Sequence, residues 1–200
     1  ITVIGEDAFA KFNGVGSAEI SDTVTTIKRN AFHYLKSITI PKTVRTVETG
    51  AFYFVGKVVV EGDMNNFQYG ALGISVDEVQ LKGSAETLGL ALAKAQDRDY
   101  LSVAIAKDNN RCRIENGCLV SPDGKTVYYH ISNSKKVTIP DTAVTIKSAA
   151  FYKQGIEEVK LGKNVTTIEP YAFEENPLLK LTTNSKLKKI GRCAFKGTDL

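Results

Sequence analysis

Apolar residues recur along this chain at fixed distances before an aromatic ring. In five segments, aliphatic residues lie eight and five positions before the phenylalanine of an Ala-Phe dipeptide: Phe9, Phe32, Phe52, Phe173 and Phe195. Two more segments keep the pattern imperfectly, because Leu72 replaces the ring in one and the first aliphatic residue before Phe151 is displaced by one position. Successive copies are 23, 20, 20, 79, 22 and 22 residues apart. A period of about 20 to 23 residues is typical of repeat proteins whose units stack.

Each copy is followed by a short segment in which apolar and polar residues alternate. These segments lie at residues 18–20, 37–41, 57–61, 78–82, 136–140, 158–162 and 178–182. Alternation with a period of two predicts a strand with one buried and one exposed face. Pro41 and Pro140 close two of the strands, where a missing backbone N–H costs least. A single unit cannot bury its own apolar face, so we expect the units to stack with their strands in a parallel sheet.

Residues 83–135 depart from the repeat. The segment 84–99 has apolar residues at helical spacing, which predicts an amphipathic helix of two to three turns in place of a return segment. Three of its residues share the apolar face: Leu88, Leu92 and Ala95. A further strand is predicted at 100–106, since Val103 and Ile105 alternate with small residues there.

Two apolar runs within residues 115–130 are joined by Ser-Pro-Asp-Gly at 121–124, which predicts a β-hairpin. The hairpin and the helix together enlarge one coil and do not require a second domain. We therefore expect one solenoid over residues 1–200, with regular repeats at 1–82 and 136–200.

The pattern I-x-x-x-A-F followed by I-x-I-P-x-x-V resembles the BspA-type leucine-rich repeat, found mainly in surface and secreted proteins of bacteria and some protists. The resemblance covers residues 1–82 and 136–200. It implies a right-handed solenoid with few helices, an extracellular or cell-surface location, and adhesion to or recognition of an extracellular protein or glycan without a cofactor. The family motif consists of core positions, so the resemblance implies no particular site residues.

In a stacked solenoid, the outward residue of each strand lies on an extended surface. One such residue per strand gives a candidate partner-binding face: Glu19, Thr39, Val59, Gln80, Ala104, Thr138, Lys160 and Lys180. We expect Lys160 and Lys180 to stack in neighbouring coils, close to further lysines, which favours an acidic glycan or protein as the ligand. The alternative is that all eight residues are ordinary solvated strand positions.

Composition excludes several other partners and sites. The 26 basic and 22 acidic residues give a formal charge of +4 without a dense basic block, so no nucleic acid partner is expected. No apolar run approaches the roughly 18 to 20 residues of a membrane span, so no membrane insertion is expected in this part of the chain. The three cysteines contain no C-x-x-C pair, which argues against a zinc site. Whether Cys112 and Cys118 form a disulfide stays open.

No motif identifies a catalytic centre or a metal site. The sequence DGKT at 123–126 lacks the first glycine of a phosphate-binding loop, because Leu119 occupies that place, and it predicts a turn. Asp97 and Asp99 lack the further oxygen donors that calcium requires. The chain has two histidines, outside any nucleophile motif and expected on the surface: His33 and His130.

The sequence therefore predicts a non-catalytic recognition module outside a bacterial cell. One alternative is a passive spacer that displays another domain, and another is an enzyme with a site around residues 97–130. A spacer predicts an undistinguished strand face, a binder predicts a contiguous aromatic or charged patch, and an enzyme predicts a pocket with convergent titratable groups. Because both ends fall inside partial repeats, we expect the chain to be part of a longer array.

Overall fold

The computed structural model describes residues 1–11, 16–95 and 101–200. The chain forms two compact units, Ile1–Asn110 (unit 1) and Arg111–Leu200 (unit 2). Within each unit the chain is a β-solenoid, in which short strands of successive coils pair in parallel. The predicted solenoid of parallel strands is confirmed in each unit. A single continuous solenoid over the whole chain stays a prediction.

Unit 1 contains two parallel sheets, because most of its coils contribute one strand to each sheet. The smaller sheet has three strands: β1 (Val3–Ile4), β3 (Thr26–Ile27) and β5 (Thr46–Val47). The larger sheet has five: β2 (Ser17–Glu19), β4 (Phe32–Ile40), β6 (Phe52–Val60), β7 (Val76–Leu81) and β8 (Ser102–Ile105). One short helix, α1 (Leu88–Ala91), lies between β7 and β8.

Unit 2 begins with the predicted hairpin, which continues into a parallel sheet. Three antiparallel strands come first: β9 (Arg113–Glu115), β10 (Cys118–Val120) and β11 (Thr126–His130). Three strands extend the same sheet in parallel: β13 (Thr145–Ile146), β15 (Thr167–Ile168) and β17 (Lys189–Ile190). A second parallel sheet contains β12 (Lys136–Thr138), β14 (Glu158–Lys160) and β16 (Lys180–Thr182).

An aromatic ladder runs through the core of each unit. Unit 1 stacks Phe9, Phe32 and Phe52, with ring centroids 5.1 and 5.6 Å apart. Unit 2 stacks His130, Phe151, Phe173 and Phe195, with centroids 5.3, 4.7 and 5.3 Å apart. The backbone reinforces the ladder, since the amide of Phe173 donates to the carbonyl of Ala194 in the next coil at 2.8 Å. Phe32, Phe52 and Phe173 are buried, whereas Phe195 is only half-buried.

The backbone adopts a left-handed conformation repeatedly at two positions relative to the ladder residue. One lies two residues before the ladder residue: Asp7, Asn30, Gly50, Gly70, Ala149, Tyr171 and Cys193. The other lies two residues after it: Tyr34, Phe54, Lys153, Glu175 and Gly197. This conformation costs most residues about 1 to 2 kcal/mol and glycine almost nothing. Among the described residues the first position recurs in seven coils and the second in five, with side chains of different kinds, so the type of side chain does not determine the conformation.

One addition and one correction to the sequence predictions concern secondary structure. The segments leading up to the ladder rings also form short strands, since their second aliphatic position pairs with the next coil, as Ile27 does with Val47. The predicted helix at 84–99 is one turn long among the described residues, and residues 96–99 lie outside them. Carbonyls of Leu90 and Ala91 accept amides of the preceding coil, so this segment is held as a coil of the solenoid and not as a longer helix.

Candidate functional site

The first five residues of the predicted face form one continuous row across the larger sheet of unit 1. Strand pairing places them side by side in this order: Glu19, Thr39, Val59, Gln80 and Ala104. Their inward neighbours Ile38, Val58 and Val79 are fully buried, which fixes the row on the outer side. Neighbouring strands lie about 4.8 Å apart, so the row is about 19 Å long. We call it the unit 1 row.

An open, acidic hollow of about 590 Å³ borders this row at its first strands. Glu19 and Thr39 belong to both the row and the hollow, and Asp22 and Glu61 complete its carboxylate lining. Glu61 is paired with Lys82 at 2.9 Å. The unit 1 row is thus uncharged from its second strand to its fifth and is negatively charged at one end.

Charges next to the unit 1 row are neutralised within the sheet. The ammonium of Lys57 lies 2.8 Å from the carboxylate of Glu78 on the next strand. The hydroxyls of Ser17 and Ser37 are 2.8 Å apart in the same outward row. A partner placed against this face therefore meets hydroxyls and a closed ion pair beside the unit 1 row.

The predicted stack of Lys160 on Lys180 in unit 2 is wrong. Lys160 pairs with Thr182 on one side and Thr138 on the other, whereas Lys180 pairs with Glu158. A shift of two residues keeps the same face outward, so alternation alone could not distinguish the two registers. The 22-residue spacing of the ladder rings in this unit does indicate the observed register, because Thr138, Lys160 and Thr182 are also 22 residues apart.

Acidic residues separate the basic ones on this sheet. Lys136 lies 2.6 Å from Glu158, and Lys135 lies 2.8 Å from Glu157. Hydrogen bonding and charge from Lys136 hold the pKa of Glu158 below its ordinary value. Lys160 and Lys180 therefore do not stack on each other, and binding of an acidic ligand at this sheet stays a prediction.

Two exposed aromatic residues on unit 1 did not figure in the predicted face. Tyr34 and Phe54 are 52% and 46% exposed, and their rings stack at 5.0 Å with an interplanar angle of 1°. They lie on β4 and β6, two residues after consecutive ladder rings. The sequence does carry a signal for them, because an aromatic residue recurs two positions after Phe32 and Phe52.

The histidine expectations are wrong for His130 and only partly right for His33. His130 is 3% exposed and occupies a ladder position, since its amide donates to the Ala150 carbonyl and its ring stacks on Phe151. Its Nδ1 lies 2.9 Å from the amide oxygen of Gln154. Burial lowers the pKa of His130, and the hydrogen bond with Gln154 partly opposes this effect. His33 is half-buried beside Tyr53.

Cys118 pairs with His130 across the hairpin, but the pair lacks the chemistry of a nucleophile and its base. Burial, with a smaller effect of the Glu115 charge, raises the pKa of the Cys118 thiol to about 12. The reactive thiolate is therefore absent near neutral pH. Cys112 and Cys118 are both buried and do not form a disulfide.

The DGKT segment forms the hairpin turn that its sequence predicts. Asp123 accepts hydrogen bonds from the Ser121 hydroxyl at 2.6 Å and the Lys125 amide at 3.0 Å. These bonds lower the pKa of the Asp123 carboxyl and tie the turn to itself. Gly124 takes the left-handed conformation of the turn.

The described residues contain neither a metal-binding cluster nor a membrane-spanning helix. In residues 1–11, 16–95 and 101–200, no group of three or more His, Cys, Asp or Glu side chains is placed to hold a metal ion. Across the same ranges, no helix has the length and apolar character needed to cross a bilayer. The candidate ligands Asp97 and Asp99 lie outside the described residues.

The repeats of this chain match a known family. Residues 1–71 and 124–200 match the family described as BspA type leucine-rich repeat region, in six copies. The pneumococcal vaccine antigen PcpA is similar at 14% identity, with a TM-score of 0.48, over 92% of this chain and 70% of that chain. A leucine-rich repeat protein from Eubacterium ventriosum is similar at 13% identity, with a TM-score of 0.39, over 92% and 83%. No curated protein sequence matches the chain. The family match covers well over half of the chain, so this protein belongs to the BspA-type leucine-rich repeat family.

Proposed function

We propose that this chain is a non-catalytic recognition module of a bacterial cell-surface or secreted protein, and that the larger sheet of unit 1 contacts a protein partner. One observation carries the proposal: the unit 1 row is continuous over five strands and uncharged over four of them. Membership of the BspA-type family supports an extracellular recognition role. Solenoids commonly use such extended strand surfaces for binding.

The shape and charge of this surface favour a protein over an acidic glycan. Protein interfaces have few charged residues at their centre and a polar rim around it. The unit 1 row has this arrangement, because Thr39, Val59 and Gln80 lie at its centre and the Lys57–Glu78 ion pair lies beside it. The acidic hollow at Glu19 suits a basic side chain of the partner.

The side chains of the hairpin region support the non-catalytic part of the proposal. Cys118 is a protonated thiol, and His130 is buried in the aromatic ladder with Gln154 as its partner. A general base must reach the proton that it removes, and His130 has no such access. Asp123 is held by its own turn.

Substitution of the central residue of the row tests the proposal. The labelled chain is applied to immobilised extracellular-matrix and serum proteins and to a glycan array. Val59→Arg places a cation on the outward side of β6 without entering the core, and binding to the recognised protein should weaken at least about tenfold. Thr25→Arg, an exposed position beside the smaller sheet, is the matched control and should bind like the wild type.

Three results would contradict the proposed function. The first is binding to glycans alone, and the second is equal binding by Val59→Arg and the wild type. The third is binding to no protein on the array, which is the result that a passive spacer predicts.

A further inference from the structure

Tyr34 and Phe54 keep large side chains at positions where the backbone favours glycine. Both have left-handed backbones, with φ of 58° and 53°. Glycine adopts this conformation most easily, and Gly197 fills the equivalent position in unit 2. Because both rings are about half exposed, filling the core does not account for their presence. Lys153 and Glu175 share this backbone conformation in unit 2, so it is the exposed aromatic ring that sets these two positions apart and gives a reason to look for a binding role.

The two rings form a compact aromatic surface. They are parallel within 1° and 5.0 Å apart, so each ring turns one face to the other. The ring of His33 meets Tyr34 edge-on at 6.2 Å and Tyr53 at 5.1 Å, which supports the pair from within the same coils. Both rings are about half exposed, and their edges carry partial positive charge, which favours the face of another aromatic ring or an acidic group.

A cation on β4 and an anion on β7 lie in the row of outward residues that follows the two rings along the sheet. Lys36, Gly56 and Asp77 each follow a residue of the paired set Leu35, Val55 and Val76, so they lie side by side. Lys36 and Asp77 are exposed, and neither forms an ion pair within the described residues. A Cβ on Gly56 would lie 2.8 Å from the Lys36 carbonyl, so this strand carries no side chain between them.

We propose that Tyr34 and Phe54 are a docking site for a protein segment that carries an aromatic or aliphatic side chain close to a carboxylate. The apolar side chain packs against the ring edges, and the carboxylate pairs with the Lys36 ammonium. Exposed tyrosines and other aromatic residues with a polar rim are typical centres of protein interfaces. This inference rests on the proposed recognition function but assigns the binding energy to residues outside the unit 1 row.

A phage-displayed library of random peptides, selected on the wild-type chain, tests the proposal directly. The enriched peptides should carry an aromatic residue or leucine near an aspartate or glutamate. Peptides made from the enriched sequences should bind Tyr34→Gly and Phe54→Gly at least about tenfold more weakly than the wild type. Lys36→Ala should weaken binding by a smaller factor, because the ion pair is at the rim.

The glycine variants separate a binding role from a structural one. Relief of the left-handed strain and loss of the ring stacking oppose each other, so both variants should unfold within about four degrees of the wild type. Lys153→Gly changes the equivalent position of unit 2 and is the matched control, which should bind the peptides like the wild type.

The remaining outcomes each overturn the inference in a distinguishable way. Peptides that bind Tyr34→Gly normally but lose binding to Val59→Arg would support the proposed function and refute this site. Glycans that require Tyr34 would assign the site to a carbohydrate ligand. A library that yields no enriched peptide would refute docking of a protein segment at these rings.

Discussion

Asn176 is a buried polar side chain whose removal should destabilise unit 2. It is 1% exposed, and its amide makes five hydrogen bonds within unit 2. The side-chain oxygen accepts the backbone amides of Gln154 and Ile156, both at 3.0 Å. The side-chain nitrogen donates to three carbonyls, of which the Phe151 carbonyl is nearest at 2.6 Å.

Asn176→Ala leaves two buried amides without a partner. Each buried, unsatisfied group costs roughly 1 to 3 kcal/mol, so the variant should lose about 2 to 6 kcal/mol of unfolding free energy. Urea denaturation followed by circular dichroism gives this value, and hydrogen exchange should localise the loss to unit 2. Asn133→Ala, an exposed control in the same unit, should change stability by no more than about 0.5 kcal/mol.

Asn176→Asp separates the two halves of the amide. It keeps the oxygen that accepts two amides, but it directs a second oxygen at the three carbonyls. The variant should be destabilised near neutral pH and should recover part of its stability in acid, where the protonated carboxyl donates one hydrogen bond. Stability of Asn176→Ala equal to that of Asn133→Ala would refute the reasoning for both variants.

Three further predictions concern the ladder and the turns. Phe52→Ala should lower the free energy of unfolding by roughly 3 to 5 kcal/mol, and Phe9→Ala should lower it clearly less because Phe9 is half exposed. Thermal melts compare the two variants, and an unchanged melting temperature for Phe52→Ala would contradict the repeat register. Burial lowers the pKa of His130, so as the pH falls the unfolded chain takes up a proton at this residue before the folded chain does. The free energy of unfolding should therefore decrease below about pH 6.5. His130→Phe should reduce this pH dependence, as measured by urea titrations at several pH values. Gly73→Ala should lower the free energy of unfolding by at least about 2 kcal/mol, because its Cβ would lie 1.6 Å from the Phe52 carbonyl oxygen. The control Gly155→Ala has open space around the new Cβ and should lower it by about 1 kcal/mol. Equal melting temperatures for the two variants would contradict this contrast.

The ladder and the strands could be predicted from sequence because both depend on local periodicity. Phe52 and Phe173 recur with their aliphatic partners at fixed distances, and burial of these positions follows directly. Strand register depends on the length of the intervening turn, which a period of two does not report. For this reason alternation alone did not reveal that Thr182, and not Lys180, lies beside Lys160.

The proposed binding surface was less predictable than the fold, because the repeat sets the positions of its residues but not which side chains occupy them. The row through Thr39, Val59 and Gln80 follows from strand alternation, but nothing in the alternation identifies Tyr34 and Phe54 as exposed. Aromatic residues usually indicate core in a sequence pattern. Only the left-handed backbone of the coil turns these two rings outward.

The left-handed position that follows five of the ladder residues has a consequence for how this repeat changes during evolution. The backbone conformation there is the same for tyrosine, phenylalanine, lysine, glutamate and glycine, so a new side chain alters the surface and leaves the coil unchanged. Duplication of the coil that carries Phe54 would add a third ring to the outer stack at the spacing of one strand. The contact area of such a protein can therefore grow in steps of one coil, without a search for a new fold.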